Sequence, residues 1–421
     1  MAEAVAEERT SVENHGWRVT FAGLGINLAL GVLYSWSVIS GAIADAGWGW
    51  TAEQRALPYS VACLVFCLIM VPAGRMQDKL TPRLVASLGG LLVGLGMILA
   101  SFGTSVTAYV LGFGVLAGAG IGFGYASATP PAVKWFPAAK TGMIAGLVVS
   151  GFGLASVYAA PLSKWLSATY GLKSMMMVLG VGFLVVVVAL AQFLKPPPAG
   201  YVPAGTPPPA AVNGPRKKEE FLPSEMLKTW QFYMLWFMYA CGAGAGLMII
   251  SICKKINAKA GVGVLAVVAL AIGNGGGRIL AGTLSDKLGR RLTMFVFFVA
   301  QAIVIVALAV VGGREVPPAV AMVILSALVG ANYGSNLALF PSSTKDYFGL
   351  KNFGVNYGLV FTAWGVGGFI LAQFAARVFD GKIVEAWAGS YNFAFYTSAV
   401  LLVVAGVMTF IVRPPHHHEP A

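Results

Sequence analysis

The amino-acid sequence predicts an all-α membrane protein with twelve transmembrane helices in two pseudo-symmetric six-helix bundles. Of its 421 residues, 57% are hydrophobic and only 10% are charged, and the mean hydropathy is +0.77, whereas soluble domains carry about 25% charged residues. The apolar runs are roughly 20 residues long, which suits helices that cross a hydrocarbon core about 30 Å thick. A polar, proline-rich segment separates the first six runs from the last six.

The apolar runs give the predicted positions of the helices. In chain order they are residues 17–40, 57–73, 84–102, 106–127, 141–163, 174–194, 230–252, 261–281, 293–312, 317–340, 354–376 and 392–412. The dividing segment sets the domain boundaries. We expect residues 1–194 to form the N-terminal bundle, residues 195–228 a cytoplasmic linker with nine prolines and a PRKKEE charge run, and residues 229–421 the C-terminal bundle.

The charge distribution predicts the topology. The first sixteen residues contain four glutamates and lack the basic start and short apolar core of a cleaved signal, so we expect both termini in the cytoplasm. With this orientation, 18 of the 28 lysines and arginines fall on the inner side and nine on the outer side, as the positive-inside rule requires. The net charge of +12 therefore reflects topology and contact with anionic lipid, not nucleic-acid binding. We expect a monomer in the bilayer of a prokaryotic inner (plasma) membrane.

A short motif occurs once in each half. GRMQDKLTPR follows the second run and GTLSDKLGRR follows the eighth, 208 residues later. The second copy fits the pattern GxxxDKxGRR, and here the chain resembles the major facilitator superfamily. The candidate cytoplasmic gate residues are Gly74, Asp78, Lys79 and Arg83 in the first copy and Gly282, Asp286, Lys287, Arg290 and Arg291 in the second.

The gate motifs carry specific expectations. We expect their glycines to permit close helix approach, and Asp78 and Asp286 to cap the next helix and pair with basic side chains. A plain positive-inside loop is the alternative, but two copies at matching places argue against it. The first copy departs from the pattern at Thr81 and Pro82. The resemblance covers essentially the whole chain and implies a midplane substrate site between two bundles that rock to alternate access.

Less common stretches narrow the resemblance. These stretches are KWFP from Lys134, SEMLKTWQFYMLW from Ser224, NGGGR from Asn274, LFPSSTKDYFG from Leu339 and NYG from Asn356. Together they resemble the oxalate/formate antiporter branch and its relatives, the monocarboxylate transporters. The resemblance implies that the arginine of the eighth helix, Arg278, binds the substrate carboxylate.

Arg278 is the only charged residue between Gly261 and Ala281. A guanidinium at the centre of a bilayer costs about 2.5 to 3.5 kcal/mol on insertion scales. A water-filled cavity, in which a transported anion neutralises the cation, lowers this cost. The alternative is that Arg278 reaches the cytoplasmic surface, because Gly282 lies one helical turn further on, about 6 Å along the axis.

Other polar and aromatic residues are candidates to complete the site. Asn274 lies one turn before Arg278, on the same helix face, and either bonds a hydroxyl or keto oxygen of the substrate, orients the guanidinium or bonds a neighbouring helix. Tyr333 and Tyr125 carry phenol donors in glycine-rich apolar runs, and packing is their alternative role. The weaker candidates for substrate binding are Phe361, Asn27, Tyr34 and Asn336.

The number of buried cations bears on the substrate. Oxalate exchangers in the resembling branch carry a lysine seven residues after the tyrosine of NYG, where this chain has Trp364. Arg278 alone would leave one charge of a dianion uncompensated in a low-dielectric cavity, at a cost of several kcal/mol. We therefore expect a carrier of lactate or pyruvate, with oxalate/formate exchange as the alternative, and the resemblance to the monocarboxylate transporters implies that transport is proton-coupled.

Acidic residues and histidines are confined to tails, loops and the ends of the runs. If transport is proton-coupled, the proton travels with the substrate's carboxyl group or uses Asp380 or Lys382 near the outer mouth. The apolar runs lack the nucleophile or paired acid and base of an enzyme and the continuous polar lining of a channel. The spacing of the four cysteines indicates no metal site, and we expect no cofactor. A non-transporting sensor with carrier architecture remains an open alternative.

Overall fold

The computed structural model describes residues 13–137, 140–198, 201–203, 220–349 and 352–415, except for the side chains of residues 78 and 141. The first twelve residues, most of the linker with its charge run, and the C-terminal histidines lie outside this part. The described residues are helical apart from short connections and the termini.

The long helices follow the predicted order along the chain. They are α1 Gly16–Asp45, α2 Ala52–Lys79, α3 Pro82–Phe102, α4 Val106–Val133, the run Gly142–Ala191, α7 Trp230–Ile256, α8 Gly263–Leu288, α9 Arg290–Gly312, α10 Ala319–Phe348, α11 Phe353–Phe379 and α12 Asn392–Ile411. In the run Gly142–Ala191, Gly171 has φ 80° and ψ 165°, outside the helical region. We name the part before Gly171 α5 and the part after it α6. The eleven helices long and apolar enough to cross a membrane, with this run divided, are consistent with twelve crossings.

Most helices extend beyond the predicted apolar runs. Helix α2 begins at Ala52, five residues early, because Thr51 and Gln54 form a capping box: the Thr51 hydroxyl accepts the Gln54 amide at 3.2 Å and Gln54 Oε1 accepts the Thr51 amide at 3.0 Å. Helix α10 continues to Phe348 instead of ending at residue 340. Charged and polar side chains at the membrane surface stay hydrated and remain compatible with helix, so hydropathy alone underestimates helix length.

Packing sorts the helices into two groups. Helices α1 to α6 contact one another extensively, as do α7 to α12. Across the two groups, α2 packs against α11, the outer half of α1 against α7, and the run containing α5 and α6 against α8. This arrangement is consistent with the two predicted bundles, and it places the middle of α8 at their interface.

Glycines bring α8 and α10 into backbone contact. An added Cβ would lie 2.0 Å from the Ala327 carbonyl oxygen at Gly273 and 2.0 Å from the Ala331 carbonyl oxygen at Gly277. On α10, a Cβ at Gly330 would lie equally close to the Leu270 carbonyl oxygen. Small residues allow membrane helices to approach in this way. The contact fixes the position of α8, which carries Arg278.

Polar contacts join the two groups at the helix ends opposite the gate motifs, the side that the predicted topology places outside. Glu53 of α2 pairs with Arg377 at 2.8 Å and also with Lys382, while Asp380 accepts the amides of Ala52 and Glu53 at 3.0 and 2.8 Å. Asp380 therefore caps a helix of the other group, which is favourable at a helix N-terminus. We call Glu53, Arg377, Asp380 and Lys382 the outer latch.

The gate motifs differ in part from the predictions. A Cβ at Gly74 or at Gly282 would meet nothing within 4 Å, so the expectation of close helix approach at these glycines is wrong in this conformation. The next helix after the first motif is capped by Thr81, whose hydroxyl accepts the Leu84 amide at 3.3 Å; the side chain of Asp78, which was predicted to cap it, lies outside the described part. A hydroxyl directly before a proline at the first helical position is already a favourable cap.

Charged side chains at the second motif connect the ends of α8, α9 and α10. Asp286 does not cap α9, which begins after Gly289 without a side-chain cap. It accepts a hydrogen bond from Arg290 at 3.0 Å, and Arg290 also pairs with Asp346 of α10 at 3.0 Å. Arg291 donates to the Val412 carbonyl at 2.6 Å. The predicted pairing of Asp286 with a basic side chain is therefore present.

Candidate anion-binding site

Arg278 lies in the interface between the two groups of helices. Its side chain belongs to a residue that is only 9% exposed. Its Nε donates to Asn274 Oδ1 at 3.2 Å, and its Nη1 donates to the Val149 carbonyl of α5 at 2.9 Å. The guanidinium is therefore held by one acceptor from each half. The side chain therefore does not reach the cytoplasmic surface, as the alternative would require.

Two donors at this site have no acceptor. Arg278 Nη2 and Asn274 Nδ2 are both buried, and neither has a hydrogen-bond partner among the described residues. Arg278 also has no carboxylate partner within that part of the chain. A buried donor without an acceptor costs about 1 to 3 kcal/mol, and more when it is charged. The site is therefore suited to an anion that brings oxygen acceptors of its own.

Aromatic side chains from both halves surround the cation. The Phe66 ring of α2 lies at their centre, with its centroid 5.1 to 5.7 Å from four of the others. The rings are those of Tyr34, Phe66, Tyr125 and Phe152 from the first half and Tyr333, Phe361 and Trp364 from the second. All are buried except the partly buried Tyr125. Apolar surface of this kind lowers the local dielectric and strengthens interactions with a single charge.

A hydrogen-bonded chain of three side chains crosses the interface. Trp364 Nε1 donates to the Tyr333 hydroxyl at 2.8 Å, and this hydroxyl lies 2.5 Å from that of Tyr34. Trp364 is fully buried and stacks on Phe361, with ring centroids 5.2 Å apart. The indole thus presents neutral aromatic surface at residue 364, where the resemblance to oxalate exchangers implies a second cation.

The predicted site residues fall into three places. Arg278, Asn274, Tyr333, Phe361 and Tyr34 come together in the aromatic enclosure, where the Tyr125 ring packs against Phe66, Phe152 and Phe361.

The two remaining asparagines donate to backbone carbonyls. Asn27 donates to the Val148 carbonyl at 3.0 Å, and Asn336 donates to the Asn332 and Tyr333 carbonyls of its own helix. Amides inside a membrane need such partners. The proton-coupling candidates Asp380 and Lys382 lie in the outer latch.

Sequence reasoning missed several components of the site. Phe66 and Phe152 are aromatic residues in apolar runs, where most aromatic residues only pack. The Val149 acceptor is a backbone carbonyl, which no side-chain pattern reveals. The sequence offered a signal only for Phe152. The glycines on either side of it, Gly151 and Gly153, lack side chains and so leave its ring prominent on the helix.

The fold and the site together define a class of protein. A lone buried cation between two groups of membrane-spanning helices, without a protein counterion in the described residues, is typical of multi-pass carriers of organic anions. The family model of the Major Facilitator Superfamily matches residues 27–372 and 265–421. The chain belongs to this superfamily, and it is a multi-pass membrane transporter.

Relatives confirm the predicted branch. The chain is 30% identical over 359 residues to YhjX, an uncharacterized MFS-type transporter of Escherichia coli, covering 83% of this chain and 85% of the relative. It is 28% identical over 413 residues to the oxalate:formate antiporter of Oxalobacter formigenes, covering 95% and 92%. Monocarboxylate transporter 11 of Homo sapiens is 26% identical, covering 71% and 64%.

A solved structure supports the fold. A bacterial homologue of the human lysosomal transporter Spinster, in an inward-facing, unoccupied conformation, superposes with a TM-score of 0.66 at 15% sequence identity. The match covers 95% of this chain and 97% of the other. At this identity the likeness concerns the fold alone.

Proposed function

We propose that the protein is a secondary active transporter of small monocarboxylates of the lactate and pyruvate type, acting by alternating access of two six-helix bundles in a prokaryotic inner membrane. One observation carries the proposal: the buried Arg278 guanidinium has no protein counterion in the described residues, and its Nη2 and the neighbouring Asn274 Nδ2 are buried donors without an acceptor there. A carboxylate supplies both the missing charge and the missing oxygen atoms.

The donors suit a short acid with a second oxygen. Arg278 Nη2 binds the carboxylate, and Asn274 Nδ2 binds the second carboxylate oxygen or the 2-oxo or 2-hydroxyl oxygen of the acid. The aromatic rings enclose a short apolar tail. A dianion would keep one uncompensated charge among these rings, since Trp364 is neutral and already donates to Tyr333.

Transport requires bonds between the halves to break and reform. Arg278 with Val149 and Tyr34 with Tyr333 join the halves beside the site, and the outer latch joins them at the outer end. Opening to the outside separates the latch. Because the substrate binds groups that already hold the halves together, its binding and the closure around it are linked.

Ligand binding gives the first test of substrate class. Purified protein in detergent is expected to melt at a higher temperature with lactate or pyruvate, because a ligand that binds only the folded state stabilises it by about 2.7 kcal/mol at 100 times its Kd. Oxalate and the neutral analogue lactamide are expected to leave the melting temperature unchanged. Stabilisation by oxalate greater than that by lactate would contradict the proposed substrate class.

Proton coupling is a separate prediction. The membrane-embedded part of the described chain contains no carboxylate or imidazole near Arg278, so we expect the proton to travel with the substrate's carboxyl group. Uptake of labelled lactate into proteoliposomes is expected to rise several-fold with an inward proton gradient and to collapse with an uncoupler. Asp380→Asn tests the other route, because it replaces the ionisable carboxyl group that accepts hydrogen bonds from two backbone amides in the outer latch.

Anion exchange is the second candidate, favoured by the 28% identity to the oxalate:formate antiporter over nearly the whole chain. Exchange predicts uptake that depends on a carboxylate preloaded inside the vesicles and is insensitive to the pH gradient and to uncoupler. That result would replace proton symport while keeping Arg278 as the anion-binding residue.

A further inference from the structure

Gly153 of α5 faces the two donors that have no acceptor. An added Cβ at this position would lie 3.2 Å from Arg278 Nη2, 3.4 Å from Arg278 Cζ and 3.4 Å from the Asn274 amide carbon. A separation of 3.0 to 3.4 Å is tighter than nine in ten real Cβ contacts. The missing side chain therefore lets Arg278 Nη2 and the Asn274 amide pack directly against the backbone of α5.

The contact at Gly153 involves both donors that have no acceptor. Nη2 is one of the nitrogens without an acceptor, and the Asn274 amide carries the other. Both donors belong to α8 in the second half, while Gly153 belongs to α5 in the first half. A pocket for an anion at this place is thus bounded by a helix from each half.

We infer that Gly153 is a positioning residue of the carboxylate site: its lack of a side chain lets Arg278 Nη2 and the Asn274 amide pack against α5 in the orientation that meets the substrate carboxylate. The inference rests on the proposed function, which it deepens by naming a residue that determines binding. A methyl group at residue 153 crowds Nη2 and displaces the guanidinium and the Asn274 amide. Because the displacement affects the groups that bind the carboxylate and not the tail, it weakens the binding of acids of every chain length equally.

Gly146 provides a matched control on the same helix. It lies seven residues before Gly153, nearly two helical turns, and so faces a similar direction. A Cβ at Gly146 would meet nothing within 4 Å. Gly153→Ala and Gly146→Ala therefore make the same chemical change in the same helix, with the same gain in helix propensity, and differ in what the new methyl group meets.

The experiment measures affinities for formate, acetate, pyruvate and lactate by titration calorimetry on the purified full-length protein, together with the melting temperature without ligand. We expect Gly153→Ala to weaken binding of each acid that the wild type binds by at least about tenfold, by a similar factor throughout, since a charge-assisted hydrogen bond is lost. Gly146→Ala is expected to bind as the wild type does.

A second variant distinguishes weaker acid binding from misfolding. Gly153→Ser places a hydroxyl near Arg278 Nη2 as an acceptor inside the protein, so we expect an unligated melting temperature at or above that of the wild type together with weaker acid binding. Unchanged affinity in either variant overturns the inference, as does a loss that grows with chain length, which would place Gly153 beside the substrate's tail. Failure of the wild type to bind any monocarboxylate is a different result, which refutes the proposed function itself.

Discussion

Arg278→Lys is expected to abolish saturable monocarboxylate uptake although it keeps the positive charge. The guanidinium donates to Asn274 and to the Val149 carbonyl through two different nitrogens and still presents Nη2 to the site. A lysine ammonium has three donors on one shorter side chain and cannot serve all three directions. Loss of one or two charge-assisted hydrogen bonds, each worth about 1.5 to 3 kcal/mol, weakens binding by at least about tenfold to a hundredfold.

Initial uptake rates of labelled lactate in proteoliposomes, measured over a range of concentrations, test this expectation. Arg314→Lys is the matched control, because Arg314 is exposed in the connection between α9 and α10. It makes the same substitution away from the site and is expected to transport as the wild type does. Saturable uptake by Arg278→Lys with unchanged affinity would refute Arg278 as the carboxylate ligand.

The sequence was sufficient to predict the helices and the central cation because both follow from solvation. Long apolar runs must be helical inside a bilayer, since no water is present there to satisfy backbone groups. A single arginine in such a run stands out for the same reason. The position of Asn274 one turn away follows from helix geometry, and its bond to Arg278 is present in the structure.

Contacts between distant segments could not be predicted in the same way. The Val149 carbonyl lies 129 residues from Arg278 in sequence, and a backbone acceptor carries no side-chain signature. The latch shows the same limit: Asp380 was recognisable as a carboxylate near the outer mouth, but its role as a cap on α2 depends on how the halves meet. Periodicity identifies the helices, whereas their pairing depends on tertiary packing.

The glycines show what the sequence can and cannot predict, because the role of a glycine depends on which atoms of a neighbouring helix face it. Gly74 and Gly282 were expected at close helix contacts from their motif, yet a Cβ at either meets nothing within 4 Å. The close contacts are made instead by Gly273 and Gly277 within the stretch that carries Arg278. Each glycine frees space, and only the neighbouring helix decides whether backbone, ligand or solvent uses it.

Gly277→Ala and Gly276→Ala, adjacent in α8, are therefore expected to have opposite outcomes. A Cβ at Gly277 would lie 2.0 Å from the Ala331 carbonyl oxygen, whereas one at Gly276 would meet nothing within 4 Å. Real Cβ atoms essentially never approach closer than 3.0 Å, and backbone atoms cannot rotate away. Helices α8 and α10 must therefore separate locally by about 1 Å, and overpacking of this kind costs about 1 to 3 kcal/mol or more.

The same separation displaces Asn274 and Arg278 from Tyr333 on α10, so Gly277→Ala is expected to lose both thermal stability and lactate uptake. Melting temperature and initial uptake rate, measured for both variants in the same preparation, provide the comparison. Gly276→Ala gains helix propensity without a new contact and should match or exceed the wild type in stability. Equal stability and uptake in the two variants would show that backbone contact between α8 and α10 does not hold the guanidinium in place, and the position of Arg278 would then have to depend on its bonds to Asn274 and Val149.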